Sequence, residues 1–291
     1  MSRSPAEAAL VGNTIVWGAT FVLVKSALAD ISPVLFLALR FSLASAVLLA
    51  VWGRRCKRIE PAELRAGMLI GGFLFSGYLL QTLGLRLTSA PKSAFLTGLA
   101  SVLVPLLAML VYRNRPQLSE VLGIVAATVG LGLMTLQGPM GSIGRGDLLT
   151  VGCALAFAAH IVTLGHYSEK VRFEILSVSQ VGTAALFALT LFWWVEAPFV
   201  AWRSTVLYAI LVTGLLATAL AFTVQAWAQR HTTSTRTALI YTLEPVFAWL
   251  TSYWLAGEGL SRRAATGAAL ILGGVFLVEL KPLSPWLHPS K

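Results

Sequence analysis

The feature that most constrains this chain is a train of apolar runs, each about 20 residues long, repeating from end to end with short polar breaks. A helix rising about 1.5 Å per residue needs roughly that length to cross a hydrocarbon core about 30 Å thick. Inside lipid every backbone N–H and C=O must be satisfied within its own segment, so such runs fold as membrane-crossing helices. Hydrophobic residues form 57% of the 291 and charged residues 12%, too few charges to cover a soluble surface. The expected class is therefore an all-α polytopic membrane protein. Ten spans are read at 8–28, 33–52, 66–87, 92–112, 118–136, 147–167, 175–195, 205–228, 236–256 and 264–280.

Ten crossings put both termini on one side. With the N-terminus cytoplasmic, inner segments carry Arg3, Arg54, Arg55, Lys57, Arg58, Arg65, Arg113, Arg115, Lys170, Arg172, Arg230, Arg236, Lys281 and Lys291. Outer segments hold Arg86, Lys92, Arg145, Arg203, Arg262 and Arg263, so fourteen face six, as the positive-inside rule asks. The net charge of +10 is thus spread over loops instead of gathered on a nucleic-acid-binding face. Arg3, the apolar run behind it and the triplet Ala27, Leu28, Ala29 imitate a cleaved leader, but Lys25 interrupts the run before the supposed cut. Cys56 and Cys153 have no metal or disulfide spacing.

Sliding the chain on itself by 144 residues pairs Gln81 with Gln225, Arg86 with Arg230, Thr88 with Thr232, Ala94 with Ala238, Gly123 with Gly267 and Gly130 with Gly274. For the first two spans the offset is 140, placing Gly12 on Gly152, Trp17 on Phe157 and Arg40 on Gln180. Each unit holds five spans, an odd number, so the two units, 1–140 and 141–291, are expected to enter the membrane from opposite sides. Inverted repeats can exchange conformations and open a shared midplane site to either face, which is a transporter's architecture. Small residues at Gly67 and Gly71, Ala126 and Gly130, and Ala269 and Gly273 are expected to seat neighbouring helices.

The stretches LTSAPKSAFLTGLASVLVPLLAML and HTTSTRTALIYTLEPVFAWLTSYWLAGEGLS, with VWGATFVLVK and SPVLFLALRFSLASAVLL before them, resemble the EamA type of the drug/metabolite transporter superfamily. That resemblance implies ten helices, a bacterial inner-membrane location, and export or exchange of small metabolites, amino acids or drugs. It also implies a central cavity lined by spans one, three, four, six, eight and nine. The chain departs from the pattern after span four, where Arg113, Asn114 and Arg115 stand opposite Gly257, Glu258 and Gly259. Pro105 sits four residues later in the repeat than Pro245, so the two helix breaks are expected one turn apart.

Glu244 is the costliest residue for a bilayer, about eight residues and so roughly 12 Å inside the span. It is either a structural clamp at the Pro245 break or a contact for substrate or proton. Arg236, Thr237, Ile240, Tyr241 and Glu244 share one helix face, and Lys92, Ser93, Leu96, Thr97 and Ala100 form its equivalent in span four. Gln81 below Tyr78, and Gln225 below Phe222, are amides for polar substrate groups or for helix–helix bonding. Asn13, Trp17 and Thr20 match Cys153, Phe157 and His160, with Trp17 and Phe157 as flat walls and His160 as a proton-relay or packing residue. Lys92 and Arg236 match at the two mouths, as gates or as snorkelling cations. Lys25 and Arg40 are expected to snorkel outward, Arg40 being deep enough to meet a carboxylate. Trp52, Tyr112, Trp193, Trp194, Trp202, Tyr253 and Trp254 mark the headgroup belts.

The expected partners are a small-molecule substrate, membrane lipids and protons as a candidate coupling ion, in a monomer or weak homodimer without cofactor or metal. A lipid-linked substrate flippase shares these features. An intramembrane enzyme is disfavoured, because no GxSxG, HExxH or membrane aspartate pair occurs.

Overall fold

The computed structural model describes residues 3–57, 59–88, 90–113, 116–136, 143–256 and 261–280. Arg58, Asn114, Arg115, Gly257, Glu258, Gly259, Lys281 and Lys291, and the side chains of Arg3, Lys25 and Lys92, lie outside the described residues. Span one is α1 (Arg3–Ala27), followed by α2 (Pro33–Trp52) and α3 (Pro61–Leu85). Span four is divided into α4 (Ala90–Gly98) and α5 (Ala100–Tyr112), and span five is α6 (Leu118–Thr135). Spans six and seven are α7 (Arg145–Ser168) and α8 (Phe173–Val195). Span eight runs through α9 (Ser204–Gly214), a π-helical stretch (Leu215–Leu220) and α10 (Ala221–Ala228). Span nine is divided into α11 (Ser234–Tyr241) and α12 (Glu244–Ala256), and span ten is α13 (Arg262–Leu280).

Among the described residues, seven of these stretches are individually long and apolar enough to cross a bilayer, from span two through span eight. Helix starts follow local chemistry. Pro33 and Pro61 open their helices, where a missing N–H is harmless. The carboxylates of Glu63, Glu120 and Asp147 each turn back to accept the backbone N–H three residues before them. Glu196, from the loop after α8, accepts the N–H groups of Val34 and Leu35 at 2.9 Å each and so ties the second half to the start of α2.

The halves also meet where α6 crosses α13. A Cβ placed on Gly123 would lie 2.7 Å from the Gly274 carbonyl oxygen, and one on Gly274 would lie 2.5 Å from that of Gly123. Gly130 and Gly267 stand in the same reciprocal relation. Only glycine lets the backbones come this close. The stripe expected at Ala126, Ala269 and Gly273 is thereby corrected: Ala269 and Gly273 are exposed, and space around Gly273 is open. The contacting face is one position off, because helical phase, not smallness alone, chooses which glycines face the neighbour. Gly67 and Gly71 do seat a helix, meeting Ser179 and Thr183 of α8. Trp193, Trp194, Trp202, Tyr253 and Trp254 are exposed, whereas Tyr112 turns inward to donate to the Val162 carbonyl and Trp52 meets Phe173 edge-on.

The two breaks do not fall one turn apart. α4 ends at Gly98 and α5 begins at Ala100, while α11 ends at Tyr241 and α12 begins at Glu244. Leu99 and Leu243, both in the gaps, are repeat equivalents at offset 144. The prolines differ in place, but a hydroxyl draws off a backbone carbonyl in each gap. Ser101 donates to Gly98 O at 2.9 Å and Thr242 to Leu239 O at 2.6 Å, so a side chain competes with the helical ladder beside each gap.

Candidate functional site

The broken spans frame an aromatic cluster in the middle of the bundle. The Tyr78 ring meets Phe157 edge-on at 5.3 Å, Phe41 at 5.4 Å and Phe222 at 6.3 Å between centroids. Trp17 lies 5.8 Å from Phe222 and 4.8 Å from Tyr241. The cluster so joins spans one, two, three, six, eight and nine. The Trp17–Phe222 and Phe157–Tyr78 contacts are equivalent under the repeat offsets. Trp17, Tyr78, Phe157 and Tyr241 each remain only half-buried despite packing on one another. Phe222, at the centre of the cluster, was legible from the sequence only as the neighbour of Gln225.

The π-helical stretch of span eight supplies polar backbone to this cluster. The Ala217 carbonyl accepts the Trp17 indole N–H at 2.9 Å and an Arg40 Nη2–H at 3.1 Å, and Asn13 donates to the Ala221 carbonyl at 2.9 Å. A widened helical turn offers carbonyls for such bonds, and π-bulges of this kind recur at functional sites. Arg40 does not snorkel and meets no carboxylate among the described residues: it is 5% exposed, donates Nε–H to Thr218 Oγ1 at 2.6 Å, and lies over the Tyr78 ring at 4.8 Å. A second Nη2 bond reaches the Tyr78 hydroxyl at 3.2 Å.

Glu244 opens α12, where the positive end of a helix favours negative charge. Its carboxylate forms no hydrogen bond or ion pair with a described residue, and it lies within electrostatic reach of Tyr78, Cys153 and Tyr241. The backbone is held close to α1 there, since a Cβ on Gly18 would stand 2.9 Å from the Glu244 carbonyl oxygen. Tyr241 lies beside Asn13, and its equivalent Thr97 lies 3.8 Å from Cys153, the equivalent of Asn13.

The remaining candidates lie beside or outside the cluster. His160 is buried, its Nε2 2.9 Å from Gln180 Oε1, with its ring edge-on to Phe222 at 5.7 Å. Gln225 donates to Gln229 Oε1 at 3.0 Å, and Gln229 in turn to the Ile161 carbonyl, so this amide joins spans six and eight. Gln81 is half-buried on α3. Arg236 is held by Glu7 at 3.3 Å, and Glu7 also accepts Thr232 Oγ1–H at 3.0 Å, closing α1 onto the start of span nine. An equivalent pair joins Thr88 to Asp147 at 2.6 Å, closing α7 onto the turn before span four. Glu7 and Asp147 are equivalents at offset 140, a signal present in the sequence and masked by their places near span ends. Lys92, the equivalent of Arg236, follows Thr88 by four residues.

Among the described residues no cluster of His, Cys, Asp and Glu is arranged to hold a metal ion. The chain's sequence matches the EamA-like transporter family twice, over residues 4–136 and 144–280. It is 34% identical to an uncharacterized transporter of Archaeoglobus fulgidus over 97% of this chain and 88% of that one. It is 22% identical to the uncharacterized transporter YoaV of Bacillus subtilis, over 92% of this chain and 94% of that one. A solved crystal structure superposes with a TM-score of 0.79 at 22% identity, covering 96% of this chain and 98% of its own, so the fold is shared. With both halves matched and the broken spans enclosing a polar and aromatic centre, the chain belongs to the EamA-like transporter family.

Proposed function

We propose that this protein is a secondary transporter that exports or exchanges a small organic metabolite by alternating access. In this reading two inverted five-helix units, 1–140 and 141–291, move about a central cavity at the aromatic cluster. The observation that carries it is the doubling of closures. Glu7 with Thr232 and Asp147 with Thr88 are repeat equivalents, and each joins the first span of one unit to the turn before the broken span of the other. Inverted units place such closures at opposite mouths, with Arg236 at the inner and Lys92 at the outer one. The reciprocal contacts of Gly123 with Gly274 and Gly130 with Gly267 support the same two-fold relation.

Within the cavity Trp17, Tyr78, Phe157 and Tyr241 serve as walls. Gln81 and Thr97 provide polar lining, Gln225 serves as the helix-joining amide, and Glu244 contacts the substrate's cationic group or a proton. His160 is a packing residue or a second proton carrier. Both termini are cytoplasmic and the membrane is the bacterial inner membrane. Proteoliposome uptake of radiolabelled amino acids, organic acids and small organic cations, with and without an imposed pH gradient, tests the reading. Saturable uptake of at least one solute is expected, and its absence for all of them sinks transport.

A flippase reading draws on a lateral groove of about 320 Å³ between α1 and α12, lined by Ile15, Phe247, Leu250, Thr251 and Trp254, which has the apolar character of an acyl-chain seat. Translocation of a fluorescent lipid-linked analogue without solute uptake would favour it.

A further inference from the structure

We propose that Arg40 is the anion-recognition residue of the central site, binding a carboxylate of the transported solute while the Tyr78 cluster receives the solute's flat apolar part. The proposal rests on the transport reading and adds to it a residue and a substrate class. A guanidinium is always charged and carries five N–H donors in a rigid fork. Here it is 5% exposed, and its described partners are all neutral: Thr218 Oγ1, the Tyr78 hydroxyl and the Ala217 carbonyl. These occupy Nε and Nη2, and Nη1 makes no hydrogen bond to a described residue.

Other described acids are committed elsewhere. Asp30 faces Arg203, Glu174 faces Arg55, and Glu196 caps α2. Glu244 lies within electrostatic reach of the same Tyr78 and makes no ion pair with a described residue. Burying a cation without an anion is costly, and the cost has no structural return, because a neutral side chain can join helices at this depth. The repeat supplies that comparison: Gln180, the equivalent of Arg40, is fully buried and joins α8 to His160 at 2.9 Å with no charge. An incoming carboxylate would accept from Nη1 and neutralise the charge. The Tyr78 ring beneath the guanidinium and the rings of Phe157 and Phe222 beside it would meet an aromatic or planar body.

The test uses purified full-length protein in nanodiscs, with thermal stabilisation by phenylacetate, indole-3-acetate and phenylalanine compared with the primary amide of each. At least one acid is expected to raise Tm while its amide does not. Arg40→Gln should weaken that acid's binding by about 30-fold or more, and Arg40→Lys, which keeps charge but loses the fork, by about tenfold. Equal stabilisation by acid and amide, no stabilisation by any acid, or an Arg40→Gln variant that binds the acid like the parent would each overturn the proposal. Should Arg40→Gln fail to fold, the acid–amide comparison on the parent still decides. Thr218→Val, which removes one Arg40 partner and keeps the charge, must then retain the acid preference. Saturable uptake of solutes without any acid preference would leave the transporter standing and remove this role from Arg40.

Discussion

Span four and span nine share a break at equivalent depth, Leu99 in one and Leu243 in the other, yet differ in what they place beside it. Span nine brings Tyr241 and Glu244 to the gap, and span four brings Thr97 and Ala100. A similar contrast holds in spans two and seven, where Arg40 of the first half faces the role that Gln180 fills in the second. The duplicated features are those of shape: glycine crossings, helix gaps and end closures. Among the central features that differ are two charges, Arg40 and Glu244, whose equivalents Gln180 and Ala100 are neutral. In the transport reading proposed above, equivalent shapes would let the halves exchange conformations, and unequal charges would orient a solute between them.

The largest expected effect breaks the shared shape. Leucine at Gly130 or at Gly274 would drive a side chain into backbone of the opposite helix, costing about 3 kcal/mol or more. Both should lower Tm to a similar degree, as read by thermal unfolding in detergent. Tolerance of one and not the other would break the equivalence of the two crossings.

Next comes the charge asymmetry. Glu244→Gln keeps shape and loses titration, so transport should fall about tenfold and its pH profile flatten, since a bond to a charged group contributes about 1.5–3 kcal/mol. Ala100→Ser, at the equivalent place in span four, should leave the pH profile intact. An unchanged profile for Glu244→Gln reduces the carboxylate to a clamp at the helix break.

The end closures sharpen the comparison further. Thr232→Val and Thr88→Val each remove one hydrogen bond to a buried acid, about 1–2 kcal/mol, at mouths proposed to lie on opposite sides. In a Cys56→Ser background, labelling of Cys153 by an impermeant thiol reagent should rise from the inner side for Thr232→Val and from the outer side for Thr88→Val. Shifts toward the same side would contradict inverted halves.

The smallest effect concerns orientation. Cys56 lies in the loop after α2, where burial pushes its thiol above the usual 9.0, with Glu174 and Glu63 adding to the rise and Arg172 opposing it. The thiolate fraction therefore grows about tenfold per pH unit through pH 7–9. Labelling should be slower than that of a free thiol, accelerate with pH, and occur only in inverted vesicles. Labelling in right-side-out cells would reverse the proposed topology.

The helices and the doubled pattern were legible because lipid imposes one rule along the whole chain and a repeat leaves identical residues at a fixed offset. Local periodicity was less informative about phase. Gly273 and Gly274 are equally small, and only the presence of α6 shows that Gly274 faces it. Proline position misplaced the span-four gap, because Ser101 and Gly98, ordinary in sequence, interrupt the ladder ahead of Pro105. Arg40 read as a snorkelling residue because its partners, Thr218 and Ala217, lie almost 180 residues away on the π-helical stretch.

By itself the sequence determined that the chain is helical, crosses a membrane and contains two related units, since burial in lipid and length per turn act on each segment alone. Which side chains share the centre was decided only by tertiary structure. Tyr78, Phe222, Arg40 and Glu244 come from four different spans, and whether a buried charge finds a partner depends on three-dimensional neighbours that no single helix contains.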